Sequence, residues 1–147
     1  QIPFVDLAEY IEEKTKLSVK NIFEQLGEIK FRRMEHEALI ELLQLEKQII
    51  IGLGGGTPCY ANNHELLKGE NVHSIYLKAS IDTLFGRLSA NKSKRPLIAH
   101  MDNEQMKEFI AMHLFERSFF YNQAQHVVTV DAKTIAQIIT DIELVLA

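Results

Sequence analysis

The stretch Ile49-Ile50-Ile51-Gly52-Leu53 running straight into Gly54-Gly55-Gly56 constrains this chain more than any other feature. An apolar run that does not alternate with polar residues predicts a strand buried on both faces, as in a parallel sheet. In open parallel sheets, ligands bind beyond the carboxyl ends of the strands. Glycines at such an end let backbone amides approach a ligand closely. The bland reading, a flexible turn, loses ground because the triplet follows the apolar run directly.

The rest of the sequence fits that frame. Phe4-Val5-Asp6-Leu7 reads as a strand end and Glu9 to Thr15 as a short helix. Ser18 is placed to cap Val19 to Leu26, which stops at Gly27. Glu28 to Glu46 has helical spacing, with Phe31, Met34, Ala38, Leu42 and Leu45 on one face. Asn62 or Asn63 is placed to cap a short helix through Leu67. Val72 to Leu77 reads as a strand, Ser80 caps Ile81 to Leu88, and residues 90–103 read as a polar, basic loop. Glu104 to Gln123, His126 to Val130 and Thr134 to Leu146 read as helix, strand and helix. Strands separated by helices imply a single α/β domain over residues 1–147, a parallel sheet flanked by helices.

Composition narrows the function. A net charge of −4 argues against a general nucleic-acid binder. No apolar run approaches the length of a membrane span, nothing resembles a secretory signal, and the single Cys59 fits a reducing cytoplasm. The six histidines show no zinc-site spacing.

Five groups of residues have chemistry to offer. Arg32 and Arg33 beside Phe31 either coat a solvated helix face or supply a guanidinium fork for a substrate carboxylate, with Glu35 holding the arginine. Lys92-Ser93-Lys94-Arg95-Pro96-Leu97 is either an exposed loop or a lid whose Arg95 meets phosphates. Arg117, beside Phe119, Phe120 and Tyr121, is placed as a second carboxylate clamp. Asp6, ending a strand, suits Mg²⁺ held through water, and capping the next helix is the alternative. The fifth group is the glycine triplet itself.

In order and spacing these segments resemble shikimate kinase, the P-loop enzyme that phosphorylates the 3-hydroxyl of shikimate with ATP. The resemblance is carried by Phe4-Val5-Asp6-Leu7-Ala8 with Tyr10-Ile11-Glu12; Ile22-Phe23-Glu24; Gly27-Glu28 with Phe31-Arg32-Arg33-Met34-Glu35; Leu53 through Pro58; Val72 to Leu77; Lys94-Arg95-Pro96-Leu97; and Glu116-Arg117 through Tyr121. It implies an ATP- and Mg²⁺-dependent kinase of aromatic amino-acid synthesis, cytoplasmic, with a monomeric family member as the parent. Arg32 and Arg117 would grip the shikimate carboxylate. Gly54, Gly55 and Gly56 would wrap the ring, Arg95 would reach the ATP phosphates from a lid over residues 90–103, and Asp6 would lie near Mg²⁺.

Two departures shape the expectation. The family opens on a strand running into Gly-x-x-x-x-Gly-Lys-Ser/Thr, which cradles the ATP phosphates; these 147 residues contain no such motif. The expected fold is thus the P-loop kinase sheet without its central first strand, incomplete at the N-terminus, leaving two strand pairs with no shared partner. Such a segment is expected to be inactive alone and poorly stable, unless its halves close together or an associating partner supplies the strand. In addition, the family's Asp-x-Asp reads Asp6-Leu7-Ala8 here. The second aspartate binds the accepting hydroxyl in the family, and a methyl group cannot. The alternative reading is a non-catalytic relative that binds a carboxylated ring. A gluconate or nucleoside monophosphate kinase matches the Phe-Arg-Arg and Gly-Gly-Gly-Thr-Pro blocks less well.

Overall fold

The isoleucine run and the first apolar segment pair with each other. In a computed structural model of the protein, which describes residues 1–95 and 97–147, β1 (Phe4–Asp6) lies parallel to β2 (Ile50–Gly52), Phe4 opposite Ile50 and Asp6 opposite Gly52. A second parallel pair joins β3 (Ile75–Lys78) to β4 (His126–Thr129), Ile75 opposite His126 and Lys78 opposite Thr129. The chain divides into two compact units, Gln1–Val72 and His73–Ala147, each holding one of these sheets. Among the described residues each strand therefore has a single strand neighbour.

In the first unit, α1 (Leu7–Thr15), α2 (Val19–Leu26) and α3 (Glu28–Leu43) connect the two strands. Ser18 accepts the Asn21 backbone N–H at 3.1 Å and starts α2. Gly27 ends it at φ 87° and ψ 164°, so α3 begins on the next residue. An L-residue with a side chain rarely adopts that left-handed φ. The core gathers Leu7, Ile11, Ile22, Phe31, Ala38, Leu39 and Leu42 from the three helices.

Two expectations are corrected. β2 is not buried on both faces: Ile49, Ile51 and Leu53 pack against the core, while Ile50 is 51% exposed. Among the described residues the sheet has two strands and the helical core covers one side of β2, so the apolar run behaves as a half-buried strand. Likewise α3 stops at Leu43 rather than Glu46, which leaves Leu45 exposed and outside the core. The buried stripe of α3 includes Glu35, a carboxylate among apolar neighbours.

In the second unit, α5 (Ile81–Ala90) and α6 (Asn103–Tyr121) lie between the strands in sequence and α7 (Ile135–Leu146) closes the chain. β3 begins at Ile75, later than Val72, because the Val72 N–H turns back to the Gly69 carbonyl at 3.2 Å. Residues 90–103 contain one 3₁₀ turn, Lys92–Lys94, and bury Ile98 to 3% exposure. Met106, Ile110, Val128 and Val130 are also packed away from solvent in this unit. Among the described residues, no helix is long and apolar enough to cross a membrane.

Asp131 ties the end of β4 to the start of α5. Its carboxylate accepts the Ser80 N–H at 2.9 Å and the Thr83 hydroxyl at 2.6 Å. These bonds, the Ser80 backbone first, hold its pKa below the ordinary 3.8. A depressed carboxylate pKa stabilises the fold above 3.8, and the contribution is lost as pH falls through the lowered value. Asp131→Ala is therefore expected to lower Tm at neutral pH, with the deficit shrinking below about pH 3.8. A Tm deficit equal at neutral and strongly acidic pH would contradict the assignment.

Candidate functional site

Arg32 sits one helical turn into α3, where Glu35, three residues on, shares its face. Glu35 is only 4% exposed. A carboxylate that deep is costly unless both oxygens have partners. Its Oε1 accepts from Arg32 Nη1 at 3.0 Å and its Oε2 accepts from Thr57 Oγ1 at 2.7 Å. Thr57, fully buried, is the residue immediately after the glycine triplet and opens the 3₁₀ turn Thr57–Cys59. One buried carboxylate thus fastens both the arginine and the glycine loop.

A second anchor lies further along the same loop. The fully buried Asn63, the first residue of the short α4 (Asn63–Leu66), donates from Nδ2 to the Thr57 carbonyl at 2.9 Å. Its Oδ1 lies 2.6 Å from His36 Nδ1 on α3. The helix expected near Asn62 is present, but no Asn62 side-chain bond caps it. Asn62 instead takes a left-handed φ of 57°.

The triplet is not uniform. Gly54 and Gly55 are exposed, and a Cβ at Gly54 would make only ordinary contact, 3.6 Å from Thr57 Oγ1. A Cβ at Gly56 would lie 2.8 Å from Arg32 Nη2 and 3.0 Å from Nη1. The bare backbone at Gly56 therefore makes room for the guanidinium itself. Since the colliding atoms end a flexible side chain, a methyl there would displace Arg32 more readily than the loop.

The Tyr60 ring centroid lies 4.0 Å from Arg32 Cζ. Nε of Arg32 is screened from solvent and makes no hydrogen bond among the described residues, its acidic neighbour Glu28 standing 3.8 Å away. A guanidinium held in place by Glu35 is the kind of group that forms a forked pair with a carboxylate. The guanidinium borders an open cleft of about 610 Å³, which Arg33, His36 and Tyr60 also line.

Asp6 does what its bland alternative expected: its Oδ1 accepts the Glu9 N–H at 3.2 Å and caps α1. Among the described residues no group of three or more His, Cys, Asp or Glu is placed to cage a metal ion. A lone carboxylate suits Mg²⁺, which keeps several of its waters. Ala8 occupies the first turn of α1 and is half-buried.

In the second unit, Arg117 is half-buried on α6 and borders a groove of about 250 Å³ lined mainly by apolar residues, including Tyr76, Leu84, Phe109 and Ile110. Tyr121 packs against Tyr76 with ring centroids 5.0 Å apart, whereas Phe119 is 68% exposed. Arg95 is exposed after the 3₁₀ turn, and Pro96 of its motif lies outside the described residues.

Reasoning from sequence missed Thr57, Asn63, His36 and Tyr60. Thr57 follows the more conspicuous glycines, Asn63 reads as a helix cap, and His36 lacks metal-site spacing. A polar residue that ends up fully buried leaves little trace in hydrophobic periodicity.

The comparisons with known proteins agree with one another. The family model described as shikimate kinase matches residues 1–147. A shikimate kinase of Flavobacterium johnsoniae is 64% identical over 147 residues, 100% of this chain and 86% of the relative. One from Flavobacterium psychrophilum is 43% identical, covering 99% of this chain and 84% of the relative. Among solved structures, the shikimate kinase of Bacteroides thetaiotaomicron superposes with a TM-score of 0.86 at 32% identity, over 98% of this chain and 81% of that one. The Acinetobacter baumannii enzyme in complex with shikimate gives 0.78 at 28% identity, over 99% and 79%. The chain belongs to the shikimate kinase family of phosphoryl-transferring enzymes.

Proposed function

We propose that the protein phosphorylates the 3-hydroxyl of shikimate with ATP, and that Arg32 binds the substrate carboxylate. The observation that carries the second statement is a guanidinium held by a buried Glu35, stacked against Tyr60 and bordering an open cleft beside a glycine loop. Charge-assisted, forked bonds of this kind are among the stronger polar contacts a site offers. Gly54, Gly55 and Gly56 are proposed to lie along the ring. Arg117 is proposed to add a second positive charge to carboxylate binding.

Arg95, within a lid spanning residues 90–103, is assigned to the ATP phosphates, where its charge offsets the charge that develops during transfer. Asp6 is assigned to Mg²⁺ through water. MgATP supplies the phosphoryl group and neutralises charge on its oxygens. The protein's part is to orient the acceptor hydroxyl and shut out water. We place the reaction in the cytoplasm and in aromatic amino-acid synthesis, with the 147 residues belonging to one shikimate kinase-like domain.

The test is a coupled assay for shikimate-dependent ADP release, run on the protein expressed from its own gene. Turnover that requires shikimate is the expected result. The 147 residues alone, without a Gly-x-x-x-x-Gly-Lys-Ser/Thr cradle, are expected to turn over no ATP. Ala8 favours a second reading, a non-catalytic shikimate binder. Shikimate binding with no ADP release from the natively expressed protein would establish that reading in place of the first.

A further inference from the structure

We propose that Tyr60 is a positioning residue for Arg32, and that the strained turn following it is built to hold its ring over the guanidinium. The inference rests on Arg32 being the carboxylate-binding group. Three observations converge on it. The ring centroid lies 4.0 Å from Arg32 Cζ, within range of a cation–π contact, whereas Phe31 approaches only to 5.4 Å. Tyr60 is 40% exposed and borders the same cleft as Arg32, so the core does not require it there.

The backbone is the third observation. Ala61 and Asn62 stand consecutively at φ 52° and 57°, a region residues with a Cβ enter at a cost. Such strain persists only where the surroundings over-determine it. Here the surroundings are identifiable. The Asn63 N–H donates to the Tyr60 carbonyl at 3.0 Å, Asn63 Nδ2 to the Thr57 carbonyl at 2.9 Å, and Asn63 Oδ1 meets His36 Nδ1 at 2.6 Å. Hydrogen bonds hold the turn on both sides of Tyr60, and its ring lies over Arg32.

The arrangement constrains Arg32 in complementary ways. Glu35 fixes one edge of the guanidinium, the absent side chain at Gly56 leaves space beside Nη2, and Tyr60 fixes the plane. A planar fork binds a planar carboxylate well only when its plane is set in advance. Losing Tyr60 frees Arg32 to swing into the open cleft while leaving its charge unchanged.

The experiment compares Tyr60→Phe and Tyr60→Leu in the natively expressed protein, by steady-state kinetics with shikimate and ATP varied separately. Tyr60→Phe keeps the π-face and is expected to hold the shikimate KM within about twofold. Tyr60→Leu keeps apolar bulk without it and is expected to raise that KM about tenfold, with kcat and the KM for ATP nearly unchanged. In an Arg32→Ala background, Tyr60→Leu is expected to add nothing. A shikimate KM unchanged in Tyr60→Leu, or raised as much by Tyr60→Phe, would overturn the proposal, as would a loss confined to kcat or an undiminished Tyr60→Leu effect without Arg32. An unchanged shikimate KM in Arg32→Ala itself would instead overturn the carboxylate reading beneath it.

Discussion

Arg32→Ala is expected to raise the KM for shikimate by about 10²–10⁴-fold, with kcat reduced far less. Hydrogen bonds to charged groups contribute roughly 1.5–3 kcal/mol each, and a forked pair supplies two. At about 1.4 kcal/mol per decade, two such bonds set that range. Alanine has a second consequence, because Glu35 is 4% exposed and would keep only Thr57 as a partner. A buried charge left half-satisfied destabilises the fold. Arg32→Lys separates the two effects: it keeps a positive charge beside Glu35 and loses the fork. It is expected to melt near the unaltered protein and still show a shikimate KM raised about tenfold or more. Thermal melts read the first effect and steady-state kinetics the second. A KM unaffected by either substitution would remove Arg32 from substrate binding.

Ala8→Asp carries the second large effect, and it is a gain. The resemblance to shikimate kinase implies that the family's second aspartate binds the hydroxyl that accepts phosphate, and Ala8 stands at that position in the Asp6-Leu7-Ala8 run. Position 8 lies in the first turn of α1, two residues past the capping Asp6, and is half-buried. Carboxylates at helix N-termini are favoured by the helix dipole, so the fold tolerates the change. A positioned proton acceptor contributes on the order of 10²–10⁴ in rate. Phosphoryl transfer through a loose transition state leans more on positioning and charge, so the gain is expected to fall short of that ceiling yet exceed about tenfold in kcat. The coupled ADP assay reads it directly. An unchanged kcat would show that the accepting hydroxyl does not meet position 8.

Local chemistry made much of this fold legible. Ser18, Ser80 and Thr134 cap their helices as their residue types suggest, and Gly27 breaks α2 from α3 at a left-handed φ. These features depend on neighbours within a few residues, which a sequence displays. Misread features depended on long-range packing. Whether Ile50 is buried depends on which face of β2 the helices cover, and an isoleucine run looks the same covered on one side or two. Leu45 continues the apolar spacing of α3, although the helix stops at Leu43.

The site divides along the same line. Arg32 and Glu35 are three apart on one helix, and their pairing was readable from that spacing. The Glu35–Thr57 bond spans 22 positions and the His36–Asn63 contact 27, distances at which only the folded chain brings groups together. Gly56 was legible as a bare backbone, but the group that needs the space, the Arg32 guanidinium, was visible only in three dimensions.

Whether Arg32 recognises the carboxylate of shikimate is decided by a double cycle read by calorimetry. Shikimate and its uncharged carboxamide are titrated into the unaltered protein and into Arg32→Ala. If guanidinium and carboxylate meet, the unaltered protein prefers shikimate by about 10²-fold and Arg32→Ala shows almost no preference. Equal discrimination between the two ligands by both proteins would contradict the account.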